Sequence, residues 1–413
     1  MLRKNLKVTL LAATAAVFGM NSASAETLRV YFNAGHAYET YLEVIEQFEA
    51  DNPGWDVAFE KFQWPDMRTK IVADFAASNP PDLLAEPGGW VPEFAQKSLI
   101  MPLTKYIDAD GKDMGFPSDW QDGSVTRNTI NGEVYGVQIH QTCATLVYNK
   151  DLLSEAGYDA PPTTWEEFRD VAKKTSKPGV FGFAPNPSFG YIFPFIYQNG
   201  GDWYDAETKQ MTFGSPETQE AVQFLGDMIH KDKSAPPPVA GSDYEGPQRL
   251  FTAGRAAMII TGPWDVNAIR TGNPDLNWGV APSITGEKQA TIAGGVSLMI
   301  PKDAKHPDMA WELIKRLTAV DVEVASALQY GMTMPRKSWL ANPQIGADPI
   351  LSGFGECLAY AKGVNDEISH AGLYSSAVEE TFKGAIDEVL YSGASAADLL
   401  PDAEKEANRL LTR

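Results

Sequence analysis

Cysteine is almost missing from this chain of 413 residues, which holds only Cys143 and Cys357. Two residues so far apart make no disulfide scaffold, and without a CxxC pair structural zinc has no support. Either the two pair in an oxidising compartment or Cys143 is a buried free thiol; the residues leave both open. Histidine is scarce as well. None of His36, His140, His230, His306 and His370 stands at i, i+4 from another, so no metal cluster is expected, and no cofactor. The enzyme signatures GxSxG, HExxH, P-loop and dinucleotide fingerprint are absent. Positive charge is in deficit, with 34 Lys and Arg against 54 Asp and Glu and a formal net charge of -20. That balance repels nucleic acid and anionic membrane surfaces, although it leaves room for one local cationic pocket. Beyond the N-terminal run no apolar stretch reaches membrane-spanning length.

What is present begins with an export signal. Basic MLRKNLK precedes an apolar run from Val8 to Met20, too short for a span, and Ala23-Ser24-Ala25 supplies the small residues of a cleavage site. Cleavage is expected after Ala25, which makes the mature chain periplasmic. Losing Arg3, Lys4 and Lys7 takes the net charge from -20 to -23. The remaining residues, about 390, exceed what one core usually fills, so two lobes are expected.

Strand and helix patterns then alternate. TLRVYFN at 27–33 has strand periodicity, Tyr41, Leu42, Ile45 and Phe48 mark one helical face, and 55–62 alternates again. Pro65 can open a helix bearing Met67, Ile71 and Phe75, and PPDLL at 80–84 brings in a third strand. This succession argues for an α/β lobe with a mostly parallel sheet, in which ligands gather beyond the strands' carboxyl ends at 33–36, 63–66 and 85–90. DADGKD at 108–113 only superficially matches a calcium loop, because Lys112 and Asp113 fall where a ligand and a turn glycine belong; a solvated acidic loop is expected.

The stretch 131–168 is dense in signals. Asn131-Gly132 is a turn, 134–139 and 144–148 are strand-like, and the polar break His140-Gln141-Thr142-Cys143 divides them. Asn149 opens a short helix that Gly157 stops, and Thr164 with Glu167 caps the next one. Further on, Ser215-Pro216-Glu217 starts a helix with Ala221, Phe224, Leu225 and Met228 on one side, and a buried strand at 256–260 exits at Gly262-Pro263-Trp264.

Several of these motifs carry a family resemblance. NGxxYG, YNKDLL and AGxxxPPxTWEEF within 131–168, PDLL with its following helix and Pro-Leu ending at 81–103, FxxGRAAMxIxGPW at 251–264, and the segment around Gly294-Gly295 stand in one order. Together they resemble the periplasmic sugar-binding proteins of bacterial ABC importers, the solute-binding family that includes the maltose-binding type. The likeness covers nearly all of the mature chain and fades after about residue 342. It implies an α/β, two-lobed periplasmic binding protein fold, each lobe a mostly parallel sheet flanked by helices, joined by hinge strands. It places the first lobe at 26–141 plus 295–320 and the second at 142–294 plus 321–413. It also implies a monomeric, non-enzymatic protein that captures a solute between its lobes and delivers it to ABC permease subunits.

A sugar presents hydroxyls along its edge and C–H groups on its faces, so recognition needs aromatic plates and fixed donors and acceptors. Trp64, Trp90 and Trp264 are the plates favoured by their loop positions, with Tyr191 as a fourth. Asn33, His36, Asp66, Glu86 and Asp265 are the polar candidates. The resemblance carries solute contacts onto Asn33, His36, Trp64, Asp66, Glu86, Gly89 and Trp90, and across the cleft onto Gln141, Thr142, Ser188, Tyr191 and Trp264. Gly294 and Gly295 suit a hinge. Arg336 is the anion partner to consider if the solute is a phosphorylated or sulfonated polyol. The enzymatic rival is an exported glycoside hydrolase working with two carboxylates, but the carboxylates here mostly decorate predicted helices.

Overall fold

The computed structural model describes residues 25–186, 188–237 and 245–412. All but the last residue of the export signal expected at 1–25, and the side chain of Trp64, lie outside the described residues. Strand β1 (Glu26–Asn33) pairs in parallel with β2 (Trp55–Phe62) and with β3 (Leu83–Pro87). The helices Glu39–Asp51 and Trp64–Ala76 make the connections. The sheet is completed from far along the chain. β4 (Val137–Cys143) joins it only through a strand more than a hundred residues later, which lies between β3 and β4 and runs antiparallel to both.

The second sheet contains β5 (Thr145–Asn149), β6 (Phe181–Ala184), β7 (Ala256–Thr261) and β8 (Trp278–Ala281), in the order β8-β5-β7-β6. β5 is antiparallel to its neighbours, while β7 and β6 are parallel. β9 (Thr291–Met299) then returns to the first sheet as the inserted strand. Its first residues pair with β10 (Ala361–Gly363) and its last four with β3. Helices cover both sheets, and each lobe has its own apolar core. Val30, Phe32, Leu298 and Trp311 belong to the first, and Phe168, Phe183, Phe195 and Phe382 to the second.

The first crossing is abrupt. β4 ends at Cys143 in one sheet and β5 begins at Thr145 in the other, so Ala144 alone separates them. The crossing expected near 320 needs correction. Helix Val320–Tyr330 packs against Glu39–Asp51, and Ala327, Met332, Met334, Trp339, Ile345 and Leu351 all lie in the first core. Second-lobe packing begins with Ile350 and Phe354 in helix Pro349–Cys357. Helical periodicity shows which face is buried, but not against which sheet. Cys143 and Cys357 are disulfide-bonded with Cα atoms 6.2 Å apart, which ties the first crossing to the last.

A second expectation also fails. Residues 108–113 form no solvated loop, because they lie inside helix Thr104–Met114, where Asp110 accepts from Trp311 Nε1 at 2.7 Å and pairs with Lys315 at 3.1 Å. At the crossing, Gly295 has φ +146°, and a Cβ there would stand 2.0 Å from Gln138 Nε2 and 2.2 Å from the His140 carbonyl oxygen. No rotamer change relieves a clash with backbone. Gly295→Ala is therefore expected to destabilise by more than about 2 kcal/mol, measured as the urea midpoint; a midpoint equal to wild type would show that the strands yield there.

Candidate functional site

The first-lobe loops bring several of the expected residues to the carboxyl ends of β1, β2 and β3. Asn33 is a correction. Its Oδ1 accepts from Gly35 N at 2.9 Å and its Nδ2 donates to Phe62 O at 3.2 Å, so the amide holds the loop instead of presenting itself to a solute. His36 lies edge-on to His140 with ring centroids 5.1 Å apart, and His140 Nε2 is 2.7 Å from Tyr41 Oη. Burial pushes His36 down to about 4. Burial, then the neighbouring His36, holds His140 well below the usual imidazole range. Both rings are thus neutral at physiological pH and suited to hydrogen bonding. Among the described residues no group of three or more His, Cys, Asp or Glu could hold a metal ion.

Asp66 is exposed in the first turn of Trp64–Ala76, where an acidic side chain complements the helix N-terminus. Trp90 closes the short turn Gly88–Trp90. The Arg68 guanidinium lies 4.4 Å over its ring and ion-pairs with Glu93 at 2.6 Å, so a cation already occupies one indole face. A Cβ added to Gly89, beside it, would meet nothing within 4 Å. Glu86, next to last in β3, is fully buried with neither carboxyl oxygen hydrogen-bonded. Burial pushes it up to about 9 against the opposing pull of Arg68, which makes it an uncharged acid at neutral pH.

Across the cleft, Trp264 needs the glycine before it. A Cβ at Gly262 would stand 2.2 Å from the indole ring, which lies against the bare backbone. Trp264 packs against the apolar cores of both lobes, and its Nε1 is buried without a hydrogen-bond partner. Asp265 accepts from Thr261 Oγ1 at 2.5 Å, and burial pushes its carboxyl up to about 6. Ser188 is exposed at the start of the turn Phe189–Ile192. Tyr191 is a second correction: it is only 8 % exposed and belongs to the second lobe's core, so it is no open plate.

The floor between the lobes is the β4–β9 pair, with Gln141 opposite Gly295 and Thr142 opposite Gly294. Residues 292–295 are half-buried there. Gln141 and Thr142 are buried, and the Gln141 carbonyl accepts from Thr333 Oγ1 at 2.5 Å. Arg336 is the third correction. It is 4 % exposed inside the first lobe, lies 3.9 Å over Trp120, and donates to the carbonyls of Thr318 and Met114 and to Asp119. Nothing of its guanidinium faces an interlobe solute.

Sequence reasoning missed the residues that join the lobes outside the floor. Arg127 clasps Asp366 through bonds of 2.9 to 3.1 Å, and Gln96 Nε2 donates to Ser369 O at 3.0 Å. It also missed Arg68, although its place two residues after Asp66 in the same helix start could have drawn attention to it.

Two α/β lobes joined by crossing strands, with polar and aromatic residues collected at their junction, define a cleft-binding protein. The comparisons specify the family: residues 34–323 match the model of the bacterial extracellular solute-binding proteins, and the chain belongs to that family. It is a family of binding proteins, not of enzymes. The maltotriose-binding protein of Pyrococcus abyssi is 26% identical over 361 residues, spanning 85% of this chain and 74% of the relative. An ABC transporter solute-binding protein from Thermotoga lettingae, solved with alpha-D-tagatose, has a TM-score of 0.83 at 25% identity, covering 94% of this chain and 100% of its own. Maltose-bound MalE3 of T. maritima has a TM-score of 0.82 at 26% identity, covering 93% and 99%. Among the described residues no helix is long and apolar enough to cross a membrane.

Proposed function

We propose that this protein captures a carbohydrate between its lobes in the periplasm, after cleavage behind Ala25, and hands it as a monomer to the membrane subunits of an ABC importer. The observation that carries this reading is Trp264. Its indole lies at the junction of the two cores with an unpartnered N–H, and so offers an apolar face and a donor to the same ring. His36, Asp66, Trp90 and Glu86 from the first lobe, Gln141 and Thr142 at the floor, and Ser188 and Asp265 from the second supply the remaining contacts, with Gly294 and Gly295 letting the floor bend. Closure follows from contacts with both lobes, because only differential affinity for the closed state shifts the equilibrium. Relatives named for maltotriose, galactooligosaccharide and diacetylchitobiose support the solute class. A phosphorylated or sulfonated polyol loses its main support, since Arg336 is occupied within the first lobe.

Trp264→Ala tests this. Titration calorimetry with maltotriose, tagatose, diacetylchitobiose and galactooligosaccharides should find at least one ligand for the wild type, with affinity lowered more than about tenfold in the variant. Equal affinities in the two proteins would remove Trp264 from the site, and glycosidase turnover without binding would end the reading.

A further inference from the structure

The strand pairing that makes the cleft floor continues inward as a row of polar side chains. Past a bulge in the β4–β9 pair, Ser297 stands opposite Gln138 on one side and Glu86 of β3 on the other. Directly paired residues of antiparallel strands share a face, with Cβ atoms about 5 Å apart, so the three lie side by side. About 7 Å of strand rise separates them from Gln141 and Gly295 at the floor. Gln138 bridges that distance. Its Nε2 lies over Gly295 and donates to Gly294 O at 3.4 Å. Helix Asp122–Arg127 borders the same face, since a Cβ on Gly123 would reach within 3.8 Å of Gln141 Nε2. Asn128 Oδ1 and Ser297 Cβ lie 2.5 and 3.3 Å from a common point, the Cβ position of Gly136.

Glu86 and Ser297 are 0 % exposed, Gln138 and Asn128 are 1 %, and Gln141 is 7 %. Both Glu86 oxygens, Gln138 Oε1, Gln141 Oε1, Asn128 Oδ1 and Ser297 Oγ are buried without hydrogen-bond partners. An orphaned buried polar group costs about 1–3 kcal/mol, and folded proteins leave few of them. Here they are contiguous and, apart from the serine hydroxyl, made of carbonyl and carboxyl oxygens.

We propose that this row is the deep end of the cleft and that it takes the hydroxyl edge of an uncharged polyol ring, each O–H donating to one of the waiting oxygens. The inference rests on the carbohydrate reading above and narrows it. A phosphate or sulfonate would bring further acceptors and negative charge to a row whose three amide oxygens only accept and whose orphaned donors are the single O–H groups of Ser297 and the uncharged Glu86. An ammonium group would add a second cation where the Arg68 guanidinium already acts on Glu86. Water offers the same O–H chemistry, so the test must separate a sugar hydroxyl from a resident water.

The mature wild-type protein, Ser297→Ala and Glu86→Gln are titrated with maltotriose, tagatose, diacetylchitobiose, glucosamine and glucose 6-phosphate, and the protein is crystallised with the tightest binder. A neutral sugar should bind, each substitution should weaken it about tenfold, the value of one net hydrogen bond, and the melting temperature without sugar should hold or rise. A sugar hydroxyl should lie within hydrogen-bond distance of Glu86 or Ser297. Unchanged affinity in both variants, a preference for glucosamine or glucose 6-phosphate, or a row holding only water while the sugar sits elsewhere would each overturn the inference and leave solute capture standing. Failure of every sugar to bind the wild type would overturn the carbohydrate reading, and this inference with it.

Discussion

Replacing Arg336 with alanine is expected to destabilise the protein by about 3–5 kcal/mol while leaving solute affinity of the folded fraction unchanged. Its Nη2 and Nε donate to Thr318 O at 2.6 and 3.1 Å, and its Nη1 donates to Met114 O at 2.7 Å. Glu323, fully buried, lies 3.4 Å from Nε. Burial pushes the Glu323 carboxyl well up, and the guanidinium opposes that shift. Truncation would leave two buried carbonyls short of a donor, uncover the Trp120 ring and remove the charge that opposes protonation of Glu323. Lysine should rescue little, because one ammonium cannot span carbonyls that a planar fork reaches together. The check is a urea midpoint together with a solute titration. A variant of normal stability that has lost its solute would return Arg336 to the cleft.

Arg336 also shows where reading the sequence stops. Local signals were legible because both partners lie within one turn of each other. Asn149 caps at Leu152 N (3.0 Å), Thr164 at Glu167 N (3.2 Å) and Ser215 at Thr218 N (3.3 Å), each at a position its residue type indicates. Motif order likewise carried the two-lobed fold, and the resemblance, not the residues of the polar break, put the first crossing there. The failures have long-range causes. The guanidinium of Arg336 meets groups 18 and 222 residues away. Tyr191, in a loop that looked open, is buried in the second lobe's core, whose members come from as far along the chain as Phe382 and Leu400. The helices within 321–351 have a pattern that fits either lobe, and only packing decides between them: Val320–Tyr330 lies against helix Glu39–Asp51, and Trp339, Ile345 and Leu351 lie in the first core. The polar row was hidden for the same reason, since Glu86, Gln138 and Ser297 become neighbours only once β9 is inserted between β3 and β4.

The two neutral histidines and the neutral Glu86 should give the protein opposing pH slopes that single substitutions separate. His36, down to about 4 in the fold against about 6.5 unfolded, binds its proton preferentially in the unfolded chain. Its contribution is therefore present above pH 6.5 and lost as pH falls toward 4, by about 3 kcal/mol at most, because the residue keeps a partly exposed edge. His140 adds a loss of the same sign. Glu86 acts in reverse: raised to about 9, it is relatively most stabilising below pH 4.5 and loses that contribution as pH rises. Asp265, raised to about 6, loses its share between about 4 and 6. Between pH 5 and 6 the positive slopes of the two histidines oppose the negative slopes of Glu86, Asp265 and the buried Glu323, so the wild-type profile should be shallower there than either set alone would make it. Glu86→Gln should then gain about 3 kcal/mol over wild type at pH 7 and tilt the profile toward acid lability. His36→Gln should tilt it the other way, improving against wild type as the pH drops from 6.5 to 5. Denaturant midpoints at pH 5, 6, 7 and 8 on the three proteins decide the matter. Parallel profiles would mean that neither group changes protonation on folding, and that the enclosure of His36 and Glu86 opens to water in solution.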